Sequence, residues 1–146
     1  MLTCTHRVRI LASGLAFATL VLGPPLSAHA VTPALSVGTE HSLALRSDGS
    51  VFAWGSDRDG QLGQGRQTYE SRPGLVVGLS GVKAIGIGPN HSLAIRSDGS
   101  LWAWGSNGNG QLGDDSTDFR SEPVQARAIS RVSAACGGDY FSAALD

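Results

Sequence analysis

Two histidine–serine pairs are the first candidates for chemistry. His41 precedes Ser42, with Asp48 seven residues beyond the histidine, and His91, Ser92 and Asp98 repeat the arrangement. Those types could supply a base, a nucleophile and an orienting acid. Such a triad has to bring base and nucleophile together from separate segments. Neighbouring residues on a strand point to opposite faces, so His41 cannot serve Ser42, nor His91 Ser92. Asp48 and Asp98 each precede a glycine, where a carboxylate is used by its own turn. The residues read as structural, and no catalytic residue is expected.

The other candidates are weaker. Asp57-Arg58-Asp59-Gly60 hints at a calcium loop, but the ligand order of an EF-hand and its distant glutamate are missing. The matching segment, Asn107-Gly108-Asn109-Gly110, loses the charge, and Asp114, Asp115 and Asp118 add acid without ligand spacing. No metal and no cofactor are expected. The glycine-rich stretch 105–110 lacks the Lys-Ser/Thr and helix of a phosphate loop. Cys136, in Val132-Ser133-Ala134-Ala135-Cys136, reads as a small buried hydrophobe.

These residues belong to a repeat. Residues 38–87 and 88–137 share 23 identities in fifty ungapped positions. The matched blocks include His-Ser-Leu-Ala, Arg-Ser-Asp-Gly-Ser, Ala-Trp-Gly-Ser and Gly-Gln-Leu-Gly, with Pro73 answering Pro123. A third copy starts at Gly138, with Phe141 in place of the histidine. Ser42–Arg46 and Val51–Trp54 are short apolar runs around Ser47-Asp48-Gly49-Ser50. Asp-Gly between two such runs predicts a hairpin with a type I′ turn. Val82–Ile87, matched by Val132–Gly137, precedes a hairpin, and a further extended piece is expected after Pro73 and Pro123. Four strands per period is the content of one propeller blade. Phe52 and Trp54 share one face, Val51 and Ala53 the other. Two dry faces, one large and one small, suit a sheet stacked between similar sheets.

His-Ser-Leu-Ala-x-Arg-Ser-Asp-Gly-Ser, then Trp-Gly-Ser, then Gly-Gln-Leu-Gly, resembles the repeat of the regulator of chromosome condensation (RCC1) family over about residues 36–146. The family's fold, a seven-bladed β-propeller, is what the resemblance implies. The expected fold class is all-β: two full four-stranded blades and the start of a third, incomplete relative to a seven-bladed ring. The expected organisation is a signal peptide over 1–30, a short linker over 31–37, repeats over 38–87 and 88–137, and a partial repeat over 138–146. The chain is expected to be a secreted, bacterial-type member with a partial array.

The export reading rests on the first thirty residues. His6, Arg7 and Arg9 precede a thirteen-residue apolar run, Ile10–Leu22, and Ala28-His29-Ala30 offers a cleavage site. The run is too short for a bilayer, which needs roughly 20 residues. No membrane span is expected after cleavage. Cys4 would leave with the signal, so no disulfide staple is expected. Residues 31–146 then carry nine Lys and Arg against twelve Asp and Glu. That balance gives no basic footprint for nucleic acid, and none is expected as a partner.

The resemblance implies exchange-factor or chromatin roles in some members, which an exported chain does not suit. Secreted relatives that inhibit β-lactamases show that the fold can serve as an exported binder. The expected function is a non-enzymatic scaffold for a protein or cell-surface ligand. The alternatives are a non-catalytic module or fragment of a secreted enzyme, and a truncated chain without independent function. The repeats differ most at 57–59 against 107–109 and at 64–72 against 114–122. Loops on a rigid scaffold carry binding diversity. Arg58, Arg66, Tyr69, Phe119 and Arg120 are the candidate contacts, because arginine and aromatic side chains anchor interfaces. Two routes to a complete ring are open: self-association, in which three copies of two and a third repeats supply seven, or a truncated reading frame whose missing blades lie downstream, the slightly favoured reading.

Overall fold

The computed structural model describes residues 31–146. The expected signal peptide, Cys4 included, lies outside the described residues. β1 (Ala34–Val37), β2 (His41–Leu45), β3 (Val51–Gly55) and β4 (Glu70–Leu75) form an antiparallel meander in chain order. β5 (Val82–Ile87), β6 (His91–Arg96), β7 (Leu101–Gly105) and β8 (Arg120–Gln125) form a second. β9 (Ala134–Gly137) and β10 (Ser142–Leu145) pair as a two-stranded piece. The fold is all-β, with two four-stranded blades and a partial third.

The blades are out of phase with the blocks of sequence identity. Residues 31–37 were expected as a linker, yet they carry β1, whose Ala34–Val37 pairs with Leu45–Ser42. Ala34-Leu35-Ser36-Val37 shares only Ala34 with Ala84-Ile85-Gly86-Ile87, one period later. The apolar alternation survives where identity does not, and alternation is what a strand requires.

The hairpin forms where Asp-Gly places it, but not with a type I′ turn. Gly49 has φ of +80°, while Ser47 and Asp48 stay at negative φ. Gly49 N–H donates to the Arg46 carbonyl at 3.0 Å, and Arg46 N–H to the Ser50 carbonyl at 2.9 Å. This is a three-residue loop ending in a left-handed glycine, the form built on a type I turn and a G1 bulge. Asp48 Oδ1 accepts the Ser50 amide at 2.9 Å and its hydroxyl at 2.5 Å. Asp98 and Ser100 repeat the bonds at 2.9 and 2.6 Å. The serine hydroxyl, then its amide, holds each carboxyl below its usual range.

The fourth strand does not wait for its proline. β4 and β8 contain Pro73 and Pro123, each on the outer edge of its sheet. A missing N–H costs nothing on the side of an edge strand that has no neighbour. The register slips between Ala53 and Gly55 and again between Ala103 and Gly105. Gly55 has φ of +113°, and a Cβ there would lie 2.4 Å from the Glu40 carbonyl oxygen. No other residue fits that bend.

Two apolar layers hold the blades together. Leu43, Leu45, Val51 and Ala53 of the first blade pack with Ala94 and Trp104 of the second, and Ile85, Ile87 and Trp102 close the layer. The second blade's other face, with Leu93, Ile95, Leu101 and Ala103, packs with Val132 and Ala135. The small-against-large arrangement read from β3 and β7 is thus a seam: the residues opposite Trp104 are Ala53, Leu43 and their neighbours. Arg46 and Arg96 lie over Phe52 and Trp102 at 5.7 and 5.6 Å, covering the outer rings. The β1 side of the first blade is open: Leu35 and Val37 are 76% and 73% exposed, whereas their repeats Ile85 and Ile87 lie in the seam.

Candidate functional site

Strand alternation sends His41 toward the second blade and Ser42 away from it. Ser92, one period later, points back at the first blade. The bond that forms therefore joins residues 51 apart: His41 Nε2 lies 2.9 Å from Ser92 Oγ, and both side chains are buried. His91 Nε2 meets Ser142 Oγ at 2.9 Å across the next seam. Ser92 Oγ donates to the Gln61 carbonyl at 2.8 Å, and Ser142 Oγ to the Gln111 carbonyl at 2.7 Å. Trp104 Nε1 donates to the same Gln61 carbonyl at 2.9 Å.

This geometry assigns the protons. A carbonyl only accepts, so each serine spends its single proton on glutamine's main chain. The imidazole must then carry its proton on Nε2 and donate it to the hydroxyl. A general base would have to accept from that hydroxyl. The pairing is a structural latch with the polarity opposite to a catalytic dyad. The other ring nitrogen, Nδ1, is buried without a hydrogen-bond partner in both histidines. Burial lowers both pKa values to about 4, with His91 adding to the shift of His41 and the Pro89 carbonyl opposing it.

The variable loops are built on buried anchors. Asp57 Oδ1 accepts the Leu62 amide at 2.8 Å, and Asn107 Oδ1 accepts the Leu112 amide at 3.0 Å. Burial raises the Asp57 pKa against the pull of the Leu62 and Thr68 amides. Gln61 and Gln111 accept the amides of Asp59 and Asn109 at 2.9 and 3.0 Å. Of the residues that suggested a calcium loop, Asp57 thus spends its carboxylate, and Asp59 its amide, on holding the Gly-Gln-Leu-Gly turn. The first blade's turn also crosses the seam, where Gly65 N–H donates to the Ser121 carbonyl at 2.9 Å.

The five candidate contacts divide. Arg58 and Tyr69 line one shallow hollow with Glu40, Ser56, Asp57 and Gln67. Tyr69 is 74% exposed, and Phe119, its repeat equivalent, 51%. Arg66 pairs with Glu70 at 2.8 Å, and Arg120 with Asp114 at 2.8 Å. Arg120 also donates to Ser116 Oγ at 3.1 Å, which makes it a loop brace and not a free contact. Burial pushes the Asp114 carboxyl up, but Ser116, Arg120 and Asn107 outweigh it and leave its pKa lowered. Arg120 lines a separate hollow with Trp102 and Asp114. Cys136 is half-buried on β9, less enclosed than expected. Among the described residues no group of three or more His, Cys, Asp and Glu is placed to hold a metal.

The repeats match a known family description, "Regulator of chromosome condensation (RCC1) repeat", over residues 48–95 and 98–145. A second description of the same name matches 34–61 and 82–111. Human RCC1 domain-containing protein 1 is 41% identical over 58 residues, which is 40% of this chain and 15% of that protein. The structure is similar to human WBSCR16, with a TM-score of 0.71 and 30% identity over 80% of this chain and 31% of that one. Yeast RCC1 (Prp20), solved with Kap60 bound, gives a TM-score of 0.64 and 31% identity over 84% of this chain and 29% of its own. The chain therefore spans under a third of these relatives.

Proposed function

This chain belongs to the RCC1 repeat family, and from that premise we propose that it is an exported, non-enzymatic scaffold that binds a protein or cell-surface ligand through the loops between β3 and β4 and between β7 and β8. The observation that carries the reading is the division of labour inside each repeat. The repeated polar groups are consumed by seams and turns, whereas Arg58, Tyr69 and Phe119 project from the segments that differ. Exposed aromatic rings such as Tyr69, which shares a hollow with Arg58, and Phe119 are the kind of side chain that anchors protein interfaces. Yeast RCC1 is itself seen with Kap60 bound, a protein partner held by a member of this family. Export rests on the apolar run and cleavage pattern of residues 1–30.

The test compares the wild-type chain with a triple variant, Arg58→Ala/Tyr69→Ala/Phe119→Ala, as baits for the surface and secreted proteins of the source cell. The expected result is one species retained by the wild type and lost from the variant, at unchanged fold stability. Equal retention by both rejects this end of the blades as the binding surface. Turnover of a glycoside, ester or peptide substrate rejects the scaffold reading altogether. Amino-terminal sequencing of exported material should begin at Val31.

A further inference from the structure

The two latches share a chemical weakness that the apolar layers around them do not. Each neutral imidazole uses Nε2–H to hold the serine of the next blade, and each bare Nδ1 is buried without a hydrogen-bond partner. A proton added at Nδ1 would put a charge out of reach of water, offset on His41 only by the Pro89 carbonyl and on His91 by no acceptor. A Cβ on Gly38 would lie 3.0 Å from His41 Nδ1, and one on Gly88 2.5 Å from His91 Nδ1, so each ring is pressed against a glycine. No carboxylate offsets the charge. Glu40 beside His41 and Asp139 on the turn packed near His91 are both exposed, and neither contributes to the imidazoles. Across the seam His41 meets Pro89, Ser92 and Gln61, all uncharged, and the other histidine is the one titratable group that acts on it. His91 faces Ser142, the Gln111 carbonyl and Gly137, with no charged group acting on it.

We propose that the blade seams are acid-sensitive joints, opened when His41 and His91 take up protons at Nδ1. Both histidines work at seams, so one proton each weakens both inter-blade contacts together. Repulsion from a charged His91 adds to the cost of a proton on His41 in the closed form. An ordinary surface histidine would have no such effect, because it would charge equally in the closed and open forms. His41 and His91 are the only histidines in residues 31–146. The joint therefore depends on two side chains.

The direction follows from the lowered pKa. An open-state histidine titrates near 6.5 and these close to 4, so the contribution is complete above pH 6.5 and lost as pH falls through 4. Between pH 7 and 5 the opening constant should rise about 20-fold per histidine and several hundred-fold for the pair. Urea unfolding of the full chain, followed by tryptophan fluorescence at pH 7 and pH 5, reads this directly. The comparison is His41→Gln/His91→Gln, whose amide can still donate to serine but does not titrate. The wild-type midpoint should fall with acid while that of the variant stays nearly level. Parallel behaviour overturns the proposal. Should the variant fail to fold, proton NMR of the wild-type imidazoles decides: resonances of His41 and His91 that do not titrate above pH 5 in the folded protein support the joint, and ordinary midpoints near 6.5 overturn it.

Discussion

Trp54 and Trp104 occupy the same place in the repeat, yet replacing them should have unequal costs. Trp104 is fully buried between the blades, and its indole N–H is held by the Gln61 carbonyl. Trp54 is half-buried, on the open side of the first blade. Removing Trp104 leaves a cavity lined by Leu43, Ala53 and their neighbours, which should cost about 3–5 kcal/mol. Removing Trp54 forfeits part of a ring's burial and creates no closed void, for roughly 1–2 kcal/mol. With a urea slope of about 1–3 kcal/mol/M, the two midpoints should differ by roughly 1 M. Trp104→Phe separates packing from hydrogen bonding. The Gln61 carbonyl keeps Ser92 as a donor, so the lost bond should cost only about 1 kcal/mol beyond the change in volume. Equal midpoints for Trp54→Ala and Trp104→Ala would refute the reasoning, for they would mean that the open face is covered in solution.

Ala128 and Arg131 hold φ of +58°, where the first repeat has Gly78 and Gly81. Ala128→Gly and Arg131→Gly should each raise stability, by up to about 1 kcal/mol after the entropy of glycine is charged, and a lower urea midpoint would count against strain at these turns. Leu35 and Val37 make an apolar patch on the first blade's open side. Self-association through it predicts a sedimentation coefficient that rises with protein concentration in the wild type and not in Val37→Glu; a wild-type monomer at all concentrations would dispose of it.

Much of the blade was legible in the sequence, because its signals are local. Asp-Gly marked the hairpin, and alternation in Val51-Phe52-Ala53-Trp54 sorted the faces. The turn type was not legible, since Asp-Gly serves both a two-residue turn and a three-residue loop; the Arg46–Ser50 pairing decides between them. β1 was missed because identity, not alternation, set the repeat boundary. The latch was hidden by its spacing. His91 and Ser92 are adjacent, but each bonds across a different seam, and the signal lay in adding one residue to the period. The binding loops were read too generously. Arg120 looked free because its brace depends on three changes: Gln64, Arg66 and Glu70 of one repeat become Asp114, Ser116 and Arg120 in the next, so the Arg66–Glu70 pair gives way to Arg120–Asp114. Sequence difference at such sites reflects exchange of one internal support for another.

The latch also bears on how such arrays can lengthen. Each repeat contributes a serine to the joint behind it and a histidine and a glutamine carbonyl to the joint ahead. Any fifty-residue block therefore carries one complete set of parts, wherever in the period it is cut. Recombination that copied a block in frame would insert a blade with both joints already supplied, and neither neighbour would need a compensating substitution. Phe141, at the histidine position of the third copy, marks a blade that has departed from that interchangeable form.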